Sequence, residues 1–213
     1  DRAIEFIRRA ADDRWCLHLS YIKPHWPYVV SAPYHDMYAG EEMPAPNRTE
    51  AELETTHPVI RALQRSRIGK AMSRPETRQL VLPTYLGLVK QIDDHLGRLF
   101  NELEQLGRLD DTLVVFTSDH GEYMGDHWMG EKDWINEEVV RVPMIVVDPR
   151  SQADNTRGTT SHELVEAVDL LPTFVEALGG ENETRKQWLE GESLIPVLHG
   201  ERGTRREFVV CEA

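Results

Sequence analysis

The sequence contains no apolar stretch that approaches the roughly 20 residues needed for a membrane-spanning helix. It also lacks a visible signal peptide, an internal repeat and any low-complexity tract. We therefore expect no interaction with a membrane. Hydrophobic residues make up 40% of the 213 residues and charged residues 29%, an ordinary balance for a globular chain. The length is enough for one large domain, or for one and a half.

Basic residues are too few to balance the acidic ones. The chain has 24 Lys and Arg against 37 Asp and Glu, which gives a formal net charge of −13. Such an acidic surface argues against general binding of nucleic acids or anionic membranes. If the substrate is an anion, its attraction must come from local positive groups, because the field of the whole chain opposes it.

Cysteine is scarce, since only Cys16 and Cys211 occur. The two residues could form a disulfide or remain two buried thiols. Both are flanked by residues that favour strands, so we predict buried thiols. Thiols indicate a reducing compartment, and we expect a cytoplasmic location, with a periplasmic or secreted protein as the alternative.

Alternating helix and strand patterns predict an α/β layered domain. The clearest helix covers residues 83–106, where apolar residues recur every three or four positions. Pro83 suits its first turn, and Gly107 suits a left-handed cap after its end. Residues 36–75 are polar and contain several prolines, so we predict a long loop with room for one short helix. The other predicted elements are an amphipathic helix that ends near residue 12, strands at 15–22, 112–117, 142–147 and 207–211, and a helix at 162–178 with Asp169 as its N-cap.

Residues 117–132 carry the most informative motif. An apolar run at 113–116 predicts a buried strand, and Asp119 and His120 follow at its carboxyl end, where α/β sheets carry ligands and catalytic groups. An aspartate oxygen and an imidazole nitrogen suit Mn²⁺, Ca²⁺, Mg²⁺ or Zn²⁺. Gly121 is expected to let the backbone turn, so that both side chains reach one ion. The structural alternative is that Asp119 caps the next turn and His120 packs.

Two further residues can offer positive charge to an anion. Lys132 can meet a sulfate or phosphate oxygen or protonate a leaving oxygen, and the alternative is a solvated lysine beside acidic neighbours. His25 lies in a loop fixed by prolines and can donate to an oxyanion or a leaving group, and the alternative is a structural or exposed histidine. Asp126 and His127 repeat the Asp-His pair, and they either orient the site or stabilise their loop.

Taken together, these segments resemble the sulfatase family of the alkaline phosphatase superfamily over nearly the whole chain, as its carboxyl-terminal part. They occur in the family's order: Pro-His-Trp-Pro (24–27), the helix from 85 to 107, Val-Phe-Thr-Ser-Asp-His-Gly-Glu (115–122), a lysine (132), Arg-Val-Pro-Met-Ile (141–145), Asp-Leu-Leu-Pro-Thr (169–173) and Gly-Glu-Ser-Leu-Ile-Pro (191–196). Within the family the chain resembles phosphonate monoester hydrolases and related phosphodiesterases, on Met-Pro-Ala-Pro-Asn-Arg (43–48), His-Pro (57–58) and Gly-Asp-His-Trp (125–128).

The resemblance implies an alkaline-phosphatase-like layered sheet with helices on both faces, of which this chain holds only the carboxyl-terminal part. Residues 1–200 would belong to the catalytic domain. Residues 201–213 would start a terminal strand or a small subdomain that the chain end cuts short. The chain opens on Asp1 without a methionine, so we expect it to be a fragment or a trimmed product.

The resemblance also implies metal-dependent hydrolysis of a small phosphonate, phosphate or sulfate ester. Asp119 and His120 would be metal ligands, with Mn²⁺ or Ca²⁺ the expected ion. His25 and Lys132 would contact the transferred group and help the leaving oxygen depart.

The family's nucleophile is a cysteine or serine matured to formylglycine within a Cys/Ser-x-Pro/Ala-x-Arg motif. No such motif occurs here, so formylglycine and the remaining metal ligands are expected upstream. We expect the isolated chain to bind metal weakly, because two protein ligands seldom hold such ions tightly. Without the nucleophile, we also expect it to have no catalytic activity.

Two other functions remain open at this stage. An arylsulfatase would use the same residues on a sulfate ester. A non-catalytic oligomerisation module with a vestigial site is the alternative of another class, although four intact site residues argue against decay. The identity of the metal and the oligomeric state also stay open, with a homo-oligomer among the alternatives.

Overall fold

The computed structural model describes residues 1–10, 13–180, 188–201 and 206–211 of the chain. The chain forms two compact units. The first comprises Asp1–Leu109 and His120–Arg141, and the second comprises Asp110–Asp119 and Val142–Ala213. Among the helices of the described ranges, none has both the length and the hydrophobicity of a membrane span.

The first unit is helical. Its helices are α1 (Arg2–Arg9), α2 (Glu50–Thr55), α3 (Pro58–Gln64), α4 (Arg67–Met72), α5 (Pro75–Gln105) and α6 (Glu137–Val140), with a 3₁₀ turn at Asp126–Trp128. Helix α1 confirms the amphipathic helix predicted at the start of the chain.

The predicted loop at 36–75 is confirmed over 36–49 and wrong beyond that, because helices α2, α3 and α4 all begin within it. Each of them starts at a local cap. Thr49 forms a capping box with Glu52 at the start of α2. The His57 side chain accepts a hydrogen bond from the amide of Val59 in α3, and the Ser66 side chain accepts one from the amide of Gly69 in α4. These caps satisfy amide groups at the helix start, and so allow short helices in a polar sequence.

Helix α5 is longer than the predicted helix at 83–106. It begins at Pro75, which occupies the first-turn position that we assigned to Pro83, and Pro83 lies inside the helix. Gly107 has φ +64° just beyond the end, which confirms the predicted left-handed cap. Arg8 of α1 binds Glu102 of α5 through two hydrogen bonds of 2.7 and 2.8 Å, and this pair joins the two helices.

Two small apolar clusters of the first unit lie around the segment that follows His120. In one, Met72, Leu82 and Met124 pack with partly buried Tyr28, Met43, Val81 and Tyr85. In the other, Tyr123, Met129 and Val139 pack with Ile60, Leu63 and Trp134. The segment 123–129 is therefore anchored from both sides by apolar contacts.

The second unit contains the sheet. Strands β1 (Val114–Thr117) and β2 (Met144–Val147) pair antiparallel, with Val114 opposite Val147 and Thr117 opposite Met144. They confirm the strands predicted at 112–117 and 142–147. Among the described residues, this unit also contains α7 (Leu170–Ala177), α8 (Ile195–Leu198) and 3₁₀ turns at Ser151–Thr156 and Ala167–Asp169. A further 3₁₀ turn, Leu109–Asp111, begins at the last residue of the first segment of the first unit.

The helix predicted at 162–178 is too long, because α7 begins only at Leu170. Asp169 is the N-cap residue, as predicted, but its buried carboxylate serves neighbouring segments instead of its own helix. It accepts from the amides of Glu166 and Glu192, at 2.7 and 2.9 Å, and pairs with Arg206 at 2.7 Å. A capping box at Glu166 and Asp169 starts the preceding 3₁₀ turn.

The strands predicted at 15–22 and 207–211 are wrong, since neither segment is a strand in the structure. Residues 15–20 still alternate between partly buried and exposed positions, which is the period of a strand. A strand also needs a hydrogen-bonded neighbour, and no described residues pair with these segments. Part of the terminal region predicted at 201–213, namely 202–205 and 212–213, lies outside the described residues.

The predicted burial of the cysteines is also wrong. Cys16 and Cys211 are both free thiols, and both are exposed. The physical reason is the same as for the strands. Without a neighbouring strand among the described residues, nothing there covers the faces on which the two thiols lie.

Candidate active site

His25 and Lys132 meet in the first unit, although 107 residues separate them in the chain. Lys132 Nζ lies 2.7 Å from His25 Nε2. His25 Nδ1 lies 2.9 Å from the carbonyl oxygen of Trp26. A carbonyl oxygen only accepts, so we assign the hydrogen to Nδ1, and Nε2 then accepts from the Lys132 ammonium. The two residues proposed to assist a leaving group therefore form one hydrogen-bonded pair.

The loop that carries His25 is closed on itself by Lys23. The Lys23 ammonium donates to the carbonyl oxygens of His25, at 3.2 Å, and of Pro27. The amide of His25 donates to the carbonyl of Ile22 at 3.1 Å. Pro24 and Pro27 restrict the backbone further. The role of Lys23 could not be predicted from the sequence, because its hydrogen-bond acceptors are backbone carbonyls, which every residue carries.

The segment before Lys132 has an unusual backbone. Met124, His127, Trp128 and Glu131 all have positive φ, between +49° and +63°, although none is glycine. This conformation costs about 1 kcal/mol or more for each such residue, so surrounding contacts must hold it. Strain of this kind often marks functional sites.

Contacts from the helical part of the same unit hold this segment. The side chain of Gln64 donates to the carbonyl of His127 at 3.0 Å, and the Trp128 indole donates to the carbonyl of Thr49 at 2.9 Å. The Arg48 guanidinium lies 4.0 Å from the centre of the Trp128 ring, a cation–π contact. Side chains and backbone outside the motif thus hold His127 and Trp128, which precede Lys132 by five and four residues.

His127 lies between two carboxylates. Its Nδ1 is 3.2 Å from Glu52 and its Nε2 is 3.2 Å from Glu138. Burial would raise the pKa of Glu138, but hydrogen bonds from Asn47 and His127 and the charge of His127 lower it below its ordinary value. Asp126 accepts from the amide of Asn47 at 2.9 Å. Two roles were considered for Asp126 and His127, namely orienting the site and stabilising their loop. These contacts support the stabilisation of the loop.

His120 lies beside the pair of His25 and Lys132. The rings of His120 and His25 meet edge to face, with their centres 6.1 Å apart. His120 Nδ1 lies 2.8 Å from the carbonyl oxygen of Gly121, so this nitrogen carries the hydrogen. In the neutral ring Nε2 then has the lone pair, which is the form that can ligate a metal.

Gly121 is required for a different reason from the one expected. It is not among the residues with positive φ, so no special turn depends on it. A Cβ atom there would lie 1.9 Å from the carbonyl oxygen of Glu138. The amide of Gly121 donates to the carbonyl of Val139 at 2.7 Å, and that of Glu122 to Glu138 at 3.0 Å. Gly121 therefore permits a close backbone approach next to His120.

Asp119 is exposed, and its carboxylate lies 3.4 Å from the hydroxyl of Ser118. It ends the first segment of the second unit, and His120 begins the following segment of the first unit. Across the described ranges, no group of three or more His, Cys, Asp or Glu side chains is placed to hold a metal ion. A carboxylate oxygen and an imidazole with an available tautomer nevertheless fit Mn²⁺ or Ca²⁺ in donor chemistry. Both residues stay predicted ligands.

Besides Lys23, two residues of the site were missed by the sequence analysis, namely Tyr28 and Glu122. The Tyr28 hydroxyl donates to one oxygen of Glu122 at 3.0 Å, and the amide of Glu131 donates to the other at 2.7 Å. Burial raises the pKa of Tyr28 well above its ordinary value, and the charge of Glu122 adds to the shift. The signal in the sequence was the position of Glu122, two residues after His120.

Comparison with known proteins shows similarity over most of the chain. The sulfatase family model matches residues 1–180. The chain is 38% identical, over 93% of its length, to the multifunctional alkaline phosphatase superfamily protein PehA of Trinickia caryophylli. It is 28% identical, over 98% of its length, to an arylsulfatase of Clostridium perfringens.

A solved structure extends the similarity to the fold. The phosphonate monoester hydrolase from Silicibacter pomeroyi is 32% identical and matches 96% of the chain with a TM-score of 0.82. This match confirms the predicted α/β fold class, as part of an alkaline-phosphatase-like fold.

The chain covers only part of each relative. It spans 40% of PehA, 43% of the arylsulfatase and 42% of the phosphonate monoester hydrolase. The family match over residues 1–180, the identity to PehA and the shared fold nevertheless agree with one another. The chain belongs to the sulfatase family, within the alkaline phosphatase superfamily of hydrolases.

Proposed function

We propose that the whole protein is a metal-dependent hydrolase of small anionic esters, with phosphonate or phosphate esters as its substrates. The observation that carries the proposal is the 2.7 Å contact between Lys132 Nζ and His25 Nε2, beside His120. It places a positive charge and a proton donor together in a chain whose net charge is −13. The similarity to a phosphonate monoester hydrolase at a TM-score of 0.82 supports this substrate class.

In the net reaction, the P–O bond to the leaving alcohol breaks and the oxygen of water becomes bonded to phosphorus. The leaving oxygen takes up one proton, which the hydrogen-bonded pair of Lys132 and His25 supplies. The pair regains a proton from the attacking water, whose other hydrogen stays on the product. The positive charge of the pair also stabilises the negative charge that develops on the transferred group.

The proposed metal ligands are Asp119 and His120. A bound divalent ion would polarise the ester oxygens as a Lewis acid. The carbonyl of Gly121 fixes the tautomer of His120, and thereby keeps Nε2 as the nitrogen with the lone pair.

We further propose that the 213-residue chain alone binds metal weakly and does not turn the ester over. Ca²⁺ takes about six to eight ligands, and the two proposed residues supply only a small part of them. The formylglycine that sulfatases generally use as their nucleophile has no matching motif in this sequence.

An arylsulfatase is the second candidate, because the chain is similar to the Clostridium perfringens arylsulfatase over 98% of its length. The same four residues would serve a sulfate ester. A comparison of aryl phosphonate, aryl phosphate diester and aryl sulfate substrates with one common leaving group distinguishes the two functions, since only the transferred group differs.

The test is steady-state kinetics of the whole protein with these esters in the presence of Mn²⁺ or Ca²⁺. Lys132→Ala and Asp119→Asn should each lower kcat by roughly a hundredfold or more. Lys90→Ala and Asp36→Asn are matched controls, because Lys90 pairs with Asp94 on the surface of α5 and Asp36 is exposed beside His35. Both controls should keep the wild-type rate. Wild-type rates in Lys132→Ala and Asp119→Asn would contradict the site.

A further inference from the structure

Glu122 joins the three chain segments that carry His120, His25 and Lys132. It follows His120 by two positions. Its Oε2 accepts from the hydroxyl of Tyr28, three residues after His25, at 3.0 Å. Its Oε1 accepts from the amide of Glu131, the residue directly before Lys132, at 2.7 Å. The same oxygen lies 3.4 Å from the amide of Met124.

The Tyr28 end of this bridge is firmly placed. Tyr28 packs against the apolar cluster of Met72, Leu82 and Met124, and its ring meets that of Tyr85 edge to face at 6.3 Å. Burial, followed by the charge of Glu122, raises the pKa of Tyr28, so the phenol keeps its proton and stays a donor. Its hydrogen bond to the Glu122 carboxylate has an ionised acceptor, and such charge-assisted bonds are stronger than those between neutral groups.

At the other end, the bridge acts on a backbone that needs support. Glu131 has φ +61°, a conformation that a non-glycine residue adopts only where its neighbours hold it. Its carbonyl accepts from the amide of Tyr123 at 3.1 Å, and its amide donates to Glu122. The direction in which the chain enters Lys132 is therefore set by the segment that follows His120.

We propose that Glu122 is a positioning residue that holds His25 and Lys132 in contact. Its carboxylate reaches neither partner directly, but it anchors the residue before Lys132 and the tyrosine that follows the loop of His25. The kinetic consequence of this role rests on the proposed ester hydrolysis, whereas the geometric consequence does not.

The proposal differs from a general contribution to stability. A residue that only stabilises the fold lowers the amount of folded enzyme, and the rate then falls equally for every substrate. A residue that positions a proton donor matters most when the leaving oxygen needs that proton. Substrates with poor leaving groups should then lose more than substrates with good ones, and kcat should change more than KM.

The experiment uses the whole protein with the variants Glu122→Ala, Glu122→Gln and Tyr28→Phe. The first readout is the distance between His25 Nε2 and Lys132 Nζ in crystal structures. It should grow from 2.7 Å to beyond about 3.5 Å, the limit of a hydrogen bond, in Glu122→Ala. The second readout is kcat for aryl phosphonates with a series of phenols. Glu122→Ala should lose roughly tenfold to a hundredfold with the poorest leaving groups and little with the best.

Glu122→Gln should restore most of the contact and of the rate, because its amide oxygen can accept from Glu131 and its NH₂ can donate to the Tyr28 oxygen. Tyr28→Phe removes only one of the two anchors and should lie between wild type and Glu122→Ala. It also keeps the proposal testable if Glu122→Ala does not fold. The control is Glu102→Ala, which removes a carboxylate paired with Arg8 away from these segments and should leave the leaving-group dependence unchanged.

An unchanged distance in Glu122→Ala, or a rate loss that is equal for all leaving groups, overturns the proposal. A defect in Glu122→Gln as large as that in Glu122→Ala also overturns the proposal. The loss of activity would then not depend on the two hydrogen bonds of the bridge, because glutamine can make both. If the wild-type protein hydrolyses none of the esters, the proposed function fails by itself. The distance in the variants then still decides whether Glu122 positions the pair.

Discussion

At the scale of single residues, backbone carbonyls fix where the protons lie in the candidate site. The carbonyl of Trp26 orients His25, and the carbonyl of Gly121 orients His120. Each imidazole thereby directs Nε2 towards its proposed task, which is contact with Lys132 for His25 and metal ligation for His120. Only the residue types are visible in the sequence, because which nitrogen carries the hydrogen depends on how the backbone folds next to each ring.

Glu122 and Lys23 show what sequence reasoning misses at this scale. Both act mainly on backbone groups, and a backbone group has no letter in the sequence. His25, His120 and Lys132 were predicted because their side chains carry chemistry, and the structure brings these three together. The ligand role of Asp119 stays a prediction.

Asp148 gives a residue-scale prediction about pH in the second unit. Its side chain is fully buried, and burial alone would raise its pKa. Hydrogen bonds from Arg150 and from His199 outweigh burial and lower the pKa to about 2. A carboxyl whose pKa is depressed in the folded state stabilises the fold at higher pH, and this stability is lost as the pH falls through the folded pKa.

The free energy of unfolding of this unit should therefore fall by about 2 kcal/mol between pH 4 and pH 2. Asp148→Asn should remove this contribution to the pH dependence and lower stability at pH 7 by about 2 kcal/mol or more. Chemical denaturation at a series of pH values measures both. Asp154→Asn is the matched control, because that carboxylate is 63% exposed and pairs with Arg157 on the surface. Equal pH dependence in the two variants would contradict the account.

At the scale of elements, hydrogen-bonded neighbours decide which predictions succeed. Strands β1 and β2 provide each other's backbone hydrogen-bond partners, and both were predicted from their apolar runs. Residues 15–22 have the alternation of a strand but no paired neighbour among the described residues, and their sequence could not reveal this. Helices α2, α3 and α4 could have been predicted, because each begins at a cap that the sequence displays.

Helix α5 offers a matched pair of glycines for an element-scale prediction. At Gly87 a Cβ atom would lie 2.3 Å from the carbonyl oxygen of Tyr34, whereas at Gly97 it would meet nothing within 4 Å. Gly87→Ala should lower the free energy of unfolding by about 1–3 kcal/mol, because a backbone carbonyl must move. Gly97→Ala should raise it by about 0.5–1 kcal/mol through helix propensity. Chemical denaturation of both variants checks the prediction, and equal effects of the two alanines would show that the packing at Tyr34 is misjudged.

At the scale of the whole molecule, the order of motifs along the chain was enough to predict the family. The sulfatase match over residues 1–180 and the TM-score of 0.82 confirm that prediction. The contact between His25 and Lys132, by contrast, spans 107 residues and two irregular segments. Propensities and periodicities act over a few residues, so this distance could be obtained only from the folded chain.

We propose, above all, that His25 and Lys132 act as one unit on the leaving oxygen of an anionic ester. The most direct test is a double-mutant cycle in the whole protein, with kcat for an aryl phosphonate measured for wild type, His25→Ala, Lys132→Ala and the double variant. Each single variant should lose roughly a hundredfold, and the double variant should lose little more than the worse single one. Wild-type rates in either single variant, or losses that simply multiply in the double variant, would contradict the claim.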